Sequence, residues 1–261
     1  MDNTKITTPP LNFGQPLAGQ FLEWLPTDTK ESFERLCQNP AHRAYFESMG
    51  WDKPGAITYK INSQGFRCEE FVDNEPYMVA LGCSFTVGIG LPLETIWPEL
   101  VGKELGLRVA NLAWGGNSAD TCYRMAEYWV PKLRPKLVAM LAPPQDRVEL
   151  LLDEQSLTQL RHVPIDVYMP GSMDYNTTGD FLKHWFINEQ NGWINQRKNI
   201  RAIKHLCAEL NIPCIILRAH DYMMGAREDI GYARDALHGG LIAHQIISKK
   251  ILNDWHATQK S

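Results

Sequence analysis

From Tyr77 onward short apolar segments alternate with longer amphipathic ones, and this alternation restricts the possible folds more than any other feature. The predicted strands are residues 77–81, 108–112, 137–142 and 214–218. The predicted helices are residues 95–105, 118–133, 196–210 and 241–255. Strands that alternate with helices form a parallel sheet covered on both faces. We therefore predict an α/β fold, a three-layer α/β/α sandwich with a flavodoxin-like parallel sheet of about five strands.

The first part of the chain lacks this alternation and is predicted to be an accessory segment. We assign residues 1–72 to an N-terminal arm and accessory segment that packs on an α/β domain of residues 73–261. Residues 1–26 contain four prolines and are predicted to be extended. We expect that such an arm packs on the domain or docks onto a larger protein assembly.

Within the accessory segment, local patterns predict two short helices and one hairpin. A helix over residues 27–38 would begin with Thr27 or Asp28 as its N-cap, and a second helix covers residues 41–49. Residues 55–71 alternate around a turn, which predicts a hairpin with Gly65 at the position of positive φ.

Charge and cysteine usage exclude several kinds of partner. Lys and Arg number 26 against 30 Asp and Glu, a net charge of −4, which disfavours nucleic-acid binding. No apolar run approaches the roughly 18 residues of a membrane helix, and the N-terminus lacks the apolar core of a signal peptide. The six cysteines form no Cys-x-x-Cys pair, which predicts reduced thiols, a cytoplasmic location and no bound metal. No organic cofactor motif is found either.

Several polar residues follow the predicted strands, where ligands bind in open parallel sheets. These are Ser84 after the first strand, Gly116 and Asn117 after the second, Gln145 and Arg147 after the third, and His220 after the fourth. Asp235 and His238 precede the last helix. A serine needs a nearby base to act as a nucleophile, and an acid orients that base. Ser84, His238 and Asp235 supply these three groups, and the amides of Ser84 and Gly116 can hold an oxyanion.

Three blocks of sequence resemble the SGNH (GDSL-like) hydrolase family. They are ALGCSFTVGIGLPLETIWPELVGKELG, NLAWGGNSADT and DALHGGLIAHQIISKKI, and the upstream INSQGFR is similar to the lead-in of some members. The resemblance covers about residues 57–255. It implies that Ser84 is the nucleophile, that Gly116 is the oxyanion glycine, and that Asp235 and His238 complete the triad.

The chain departs from the family pattern at two blocks. Cys83 replaces the aspartate that usually precedes the serine, which makes Cys83 an alternative nucleophile. The third block, usually Gly-x-Asn-Asp, is matched best by residues 143–146, Pro-Pro-Gln-Asp. There the amide of Gln145 either donates to the oxyanion or belongs to an ordinary loop, and Arg147 is a weaker substitute donor. Asn117, Arg147 and His220 are further candidates for the lining of the binding site.

Two functions follow as hypotheses. The resemblance implies a serine ester hydrolase that removes acetyl or other short acyl groups from a small-molecule or carbohydrate ester, without a metal or cofactor. The altered third block and the N-terminal arm favour the alternative, a non-catalytic binding or structural module that retains the fold.

Overall fold

The computed structural model describes residues 10–151, 157–161, 188–223 and 231–259 of the chain. The strands are β1 (Phe21–Leu22), β2 (Tyr59–Lys60), β3 (Tyr77–Leu81), β4 (Arg108–Asn111), β5 (Leu137–Ala142), β6 (Arg147–Leu151), β7 (Leu157–Arg161) and β8 (Cys214–Arg218). The helices are α1 (Lys30–Leu36), α2 (Pro40–Met49), α3 (Ser84–Val87), α4 (Trp97–Leu105), α5 (Ala119–Leu133), α6 (Gln190–Glu209), α7 (His220–Met223) and α8 (Leu241–Thr258).

The central sheet is parallel and has the strand order β4-β3-β5-β8. Val79 of β3 lies opposite Ala110 on one side and Val138 on the other. The chain thus passes from β3 to one neighbour and later returns to the opposite neighbour, which opens a crevice at the carboxyl end of β3. The flavodoxin-like prediction is confirmed, with four strands in the described part of the central sheet where about five were expected.

Helices cover both faces of this sheet. Since successive side chains of a strand point to opposite faces, alternate residues of β3 pack against different helices. Val79 and Leu81 face α5 and α6, where Met125 and Ile203 are fully buried. The alternate residues of β3 face α4 and α8, whose buried residues include Trp97. The predicted three-layer α/β/α sandwich is therefore the observed architecture.

The apolar patterns located the sheet better than they located the helix ends. The predicted bounds of β3, β5 and β8 agree with the structure. Helix α6, however, begins at Gln190 rather than residue 196. Its early turns bury the polar side chains of Asn195 and Asn199, and both donate to Asp120 of α5. Apolar periodicity does not reveal a helix face that is buried through hydrogen bonds.

The accessory segment shares a hydrophobic cluster with the α/β part of the chain. This cluster contains Tyr59, Phe46 and Trp51 from the segment and Ile89 and Ala233 from beyond it. Helices α1 and α2 are close to the predicted helices. Thr29 caps α1, rather than Thr27 or Asp28, and accepts a hydrogen bond from the backbone N–H of Ser32. The domain boundary at residue 72 remains a prediction.

The hairpin predicted over residues 55–71 is corrected by the structure. Its turn is present, with Gly65 at φ +83°, but β2 pairs with β1 of the arm and not with the chain after the turn. The chain after the turn still meets the chain before it, because the N–H of Asn62 donates to the carbonyl of Phe66 at 2.8 Å and Lys60 pairs with Glu69 at 3.2 Å. The Arg67 side chain is buried, with the residue 1% exposed, and no regular ladder joins these two described segments.

No helix in the described ranges combines the length and the apolar character that crossing a membrane requires.

The last helix is joined to α4 through a buried histidine. Nδ1 of His244 accepts a hydrogen bond from the backbone N–H of Trp97, at 2.9 Å. Burial, with smaller effects from His238 and Arg67, lowers the pKa of His244 from 6.5 to about 3. The ring is therefore neutral in the folded protein, and His244 is a structural residue.

We expect His244 to make the protein sensitive to acid. Below pH 6.5 the His244 ring becomes protonated in the unfolded chain, whereas in the folded chain it stays neutral down to about pH 3. The free energy of unfolding should therefore fall as the pH falls, by up to about 1.4 kcal/mol per pH unit from this group. In His244→Asn, the amide oxygen replaces Nδ1 as acceptor without titrating, so urea unfolding should show a shallower pH dependence. The exposed His256→Asn change is the control, and equal slopes in wild type and His244→Asn would contradict this role.

Candidate active site

Ser84 stands where the chain leaves the central strand of the sheet. It follows β3 and begins α3, with Cys83 as the N-cap residue. Cys83 is fully buried, whereas Ser84 is 8% exposed. Of the two neighbouring nucleophile candidates, only the serine therefore presents an accessible surface at the carboxyl end of the sheet.

Asp235 and His238 lie on a closed loop, residues 231–240, called here the acid–base loop. Tyr232 and Gly239 form an antiparallel bridge at its base. The N–H of Ala233 donates to the carbonyl of His238 at 2.9 Å and closes the loop from inside. The two candidate side chains are therefore carried on a backbone that is hydrogen-bonded to itself.

The Asp235 carboxylate contacts the His238 ring directly. Oδ2 lies 2.6 Å from Nδ1 of His238, and Oδ1 accepts the backbone N–H groups of Leu237 and His238 at 3.0 and 3.1 Å. Burial alone would raise the pKa of Asp235, but hydrogen bonds from His238 and Thr27 hold it below its ordinary value. The carboxylate is thus ionised and oriented toward the imidazole, as the sequence predicted for an acid–base pair.

The acid–base loop lies against the segment that carries Ser84. The rings of Phe85 and His238 meet edge to face, with 5.0 Å between their centroids. The backbone N–H of Arg234 donates to the carbonyl of Gly90 at 3.0 Å. Gly90 has φ +78°, and a Cβ there would come within 2.9 Å of Arg234. This close approach requires glycine and brings the loop next to Ser84.

No hydrogen bond joins the Ser84 hydroxyl to the His238 ring in the described part of the chain. Such bonds are often long before a substrate binds and shorten in the complex. The structure thus places Ser84 and His238 on contacting segments, and their direct interaction stays a prediction.

The predicted oxyanion donors come from two adjacent loops. Gly116 follows β4 and has φ +82°. The buried Asn117 side chain donates to the carbonyl of Gly82 at 3.1 Å, so it joins this loop to the turn before Ser84. Arg147, at the start of β6, donates to the carbonyl of Asn117 at 3.3 Å. The structure therefore uses these two candidate lining residues to hold the loops together.

The remaining candidates follow β5 and β8. Gln145 is half-buried, and its backbone carbonyl is so close to Gly192 of α6 that a Cβ there would approach it to 2.3 Å. His220 begins α7, and its side chain lies outside the described residues. In the described ranges, no cluster of His, Cys, Asp and Glu could hold a metal ion.

A buried ion pair that the sequence did not reveal joins the accessory segment to the acid–base loop. The Asp28 carboxylate is fully buried and accepts Arg234 Nε at 2.9 Å and Nη2 at 2.7 Å. The hydroxyl of Tyr59 donates to the same carboxylate and accepts the N–H of Gly90. The Arg234 guanidinium also lies over the Trp24 ring, 4.1 Å from its centroid. In the sequence, Asp28 was recognised only as a candidate helix N-cap, which did not indicate an ion pair.

A second buried arginine fixes the segment after Ser84. Arg67 donates to the carbonyls of Val87 at 3.0 Å, Gly88 at 2.7 Å and Leu91 at 2.8 Å. Burial lowers its pKa to about 10, so the guanidinium remains charged at neutral pH. Arg67 belongs to the INSQGFR segment, which gives that segment a structural role beside the candidate nucleophile.

Comparisons with known proteins found similarity only among solved structures. No family model and no curated protein matches the chain. The psychrotrophic esterase EstA from Pseudoalteromonas sp. is 10% identical, with 72% of this chain and 100% of that chain covered, at a TM-score of 0.38. A member of the lipolytic protein G-D-S-L family from Veillonella parvula is 14% identical, with 68% and 96% covered, at a TM-score of 0.35.

A third similar structure is a carbohydrate esterase family 2 enzyme from Corynascus thermopiles (Myceliophthora fergusii). It is 14% identical over 76% of this chain and 70% of that chain, at a TM-score of 0.38. These proteins are of the kind that the sequence resembles. The strand order of this chain itself defines its fold.

We expect the Asp28–Arg234 pair to be essential for stability. In Asp28→Asn the buried guanidinium loses its counter-charge, which should lower the free energy of unfolding by about 3–5 kcal/mol. Chemical denaturation measures this change. The neighbouring Lys30→Gln change removes an exposed ion pair with Glu34 and should leave stability nearly unchanged. If the two substitutions lowered the free energy of unfolding equally, the buried pair would contribute no more to stability than the exposed one.

Proposed function

We propose that this protein is a serine ester hydrolase with Ser84, His238 and Asp235 as its triad. The observation that carries the proposal is the 2.6 Å contact between Asp235 and His238, on a loop that packs against the segment of Ser84. A carboxylate that fixes an imidazole near an accessible serine is the arrangement needed to activate a hydroxyl. The sequence resemblance supplies the substrate class, carboxylic esters with acetyl or other short acyl groups, including those on carbohydrate.

In the proposed mechanism Ser84 Oγ attacks the acyl carbonyl while Nε2 of His238 takes the hydroxyl proton. The Asp235 carboxylate holds Nδ1–H and stabilises the imidazolium. The tetrahedral intermediate collapses, and His238 returns the proton to the leaving alcohol. Water then attacks the acyl-enzyme with His238 as base, which releases the carboxylic acid and restores Ser84.

The developing oxyanion would be held by backbone amides. In the described residues the N–H groups of Ser84 and Gly116 donate to no protein acceptor. Both therefore remain able to bind a negative oxygen, and Ser84 has the added benefit of a position at the start of α3. The Gln145 amide is the proposed third donor, because it follows β5, the neighbour of β3.

The nucleophile is tested with a fluorophosphonate probe, which reacts covalently with activated serines. Wild-type protein should be labelled and should hydrolyse p-nitrophenyl acetate, and Ser84→Ala should lose both activities. Cys83→Ala is the matched control, because it changes the buried neighbour and should keep the labelling. Folded wild-type protein that takes no label would exclude the hydrolase and favour the non-catalytic binding module.

Gln145→Ala tests the third oxyanion donor. If the amide stabilises charge that exists only in the transition state, kcat should fall by about 10²-fold and KM should change little. Because the Gln145 backbone is packed against Gly192, the substitution removes the side chain and leaves the loop in place. Gln145→Asn should restore activity only in part. If Gln145→Ala changes kcat by less than a few-fold, this residue is no donor, although the triad proposal would stand.

A further inference from the structure

Thr27 of the accessory segment contacts the acid of the proposed triad across 208 positions of sequence. Its hydroxyl donates to Oδ2 of Asp235 at 2.7 Å. The same oxygen lies 2.6 Å from Nδ1 of His238. The Asp235 side chain is fully buried, so Thr27 and His238 are the two side chains that bind this oxygen in the described structure. The accessory segment thus reaches the acid–base pair directly.

The backbone of Thr27 has an uncommon conformation. Its φ is +76°, in the left-handed region that β-branched residues rarely adopt. Such residues persist where surrounding contacts enforce them, and they are concentrated at functional sites. Thr27 is exposed, so packing of its methyl group in a core does not explain the choice of residue. The hydroxyl that meets Asp235 does explain it.

The neighbouring residue already anchors the accessory segment. Asp28 holds Arg234 through two hydrogen bonds, which fixes the accessory segment beside the acid–base loop without help from Thr27. The Thr27 hydroxyl is therefore not needed for attachment. What it adds is a donor on the oxygen that faces the imidazole, while Oδ1 is occupied by the N–H groups of Leu237 and His238.

We propose that Thr27 is a positioning residue that fixes the Asp235 carboxylate in the orientation that binds His238. With both oxygens occupied, the carboxylate cannot rotate, and Oδ2 remains directed at Nδ1. Thr27 touches no reacting atom and acts through Asp235. This proposal rests on the proposed triad, and it makes the accessory segment part of the active centre.

Three variants test the proposal by kinetics. Thr27→Val keeps the shape and the β-branch but removes the donor, and kcat should fall about tenfold with KM unchanged. Thr27→Ser keeps the hydroxyl and should stay within about twofold of wild type. Thr29→Val is the matched control, since it removes the α1 cap two residues away. It should reduce stability and leave kcat unchanged.

A proton NMR measurement separates this proposal from the proposed function. The Nδ1–H proton of His238, bonded to Asp235, should resonate far downfield and disappear in His238→Gln. Thr27→Val should shift this resonance, and Thr27→Ser and Thr29→Val should not. A folded Thr27→Val protein with unchanged kcat and an unchanged resonance would overturn the positioning role. A resonance that moves in a protein whose Ser84 takes no fluorophosphonate would support Thr27 and reject the hydrolase.

Discussion

The buried ion pair between Asp28 and Arg234 is the interaction on which the site depends. It joins a carboxylate from the accessory segment to a guanidinium from the residue next to Asp235. Removing two charges from water is costly, so such a pair is stable only when its remaining hydrogen-bonding groups are satisfied. Tyr59 and the carbonyl of Glu23 provide these partners. Because a buried charge without its partner is so unfavourable, the pair favours the one arrangement of accessory segment and acid–base loop in which both charges are satisfied.

The sheet topology provides the crevice of the candidate site, and the accessory segment provides side chains that fix the borders of that crevice. The strand order opens a crevice beyond β3, which is a property of many parallel sheets and says little about chemistry. The buried side chains of Arg67, Asp28 and Tyr59 then fix the two segments that border this crevice. Hydrogen bonds within each segment shape its backbone, and buried side chains from the accessory segment hold the two segments in place beside each other.

The sequence predicted the parts of the structure that local apolar patterns determine. The bounds of strand β5 were predicted correctly because it is apolar on both faces, and the contact between Asp235 and His238 was predicted because they lie three positions apart in sequence. The hairpin predicted over residues 55–71 was wrong in its strand pairing, because β2 pairs with β1, a segment that lies well before the turn in sequence. Thr27 was predicted only as a candidate helix cap. Its partner Asp235 lies 208 positions away, and local sequence patterns carry no information about contacts over such a separation.

The contact between Thr27 and Asp235 also dictates when the site can exist during synthesis. A chain emerges from the ribosome from its N-terminus, and segments far apart in sequence must wait for one another. Thr27 is made 208 positions before Asp235. A nascent chain that stops before residue 231 therefore leaves Asp28 without Arg234 and Thr27 without Asp235. The candidate site is complete only when the chain from Thr27 to His238 has been made, so a shorter nascent chain holds Ser84 without the groups proposed to activate it.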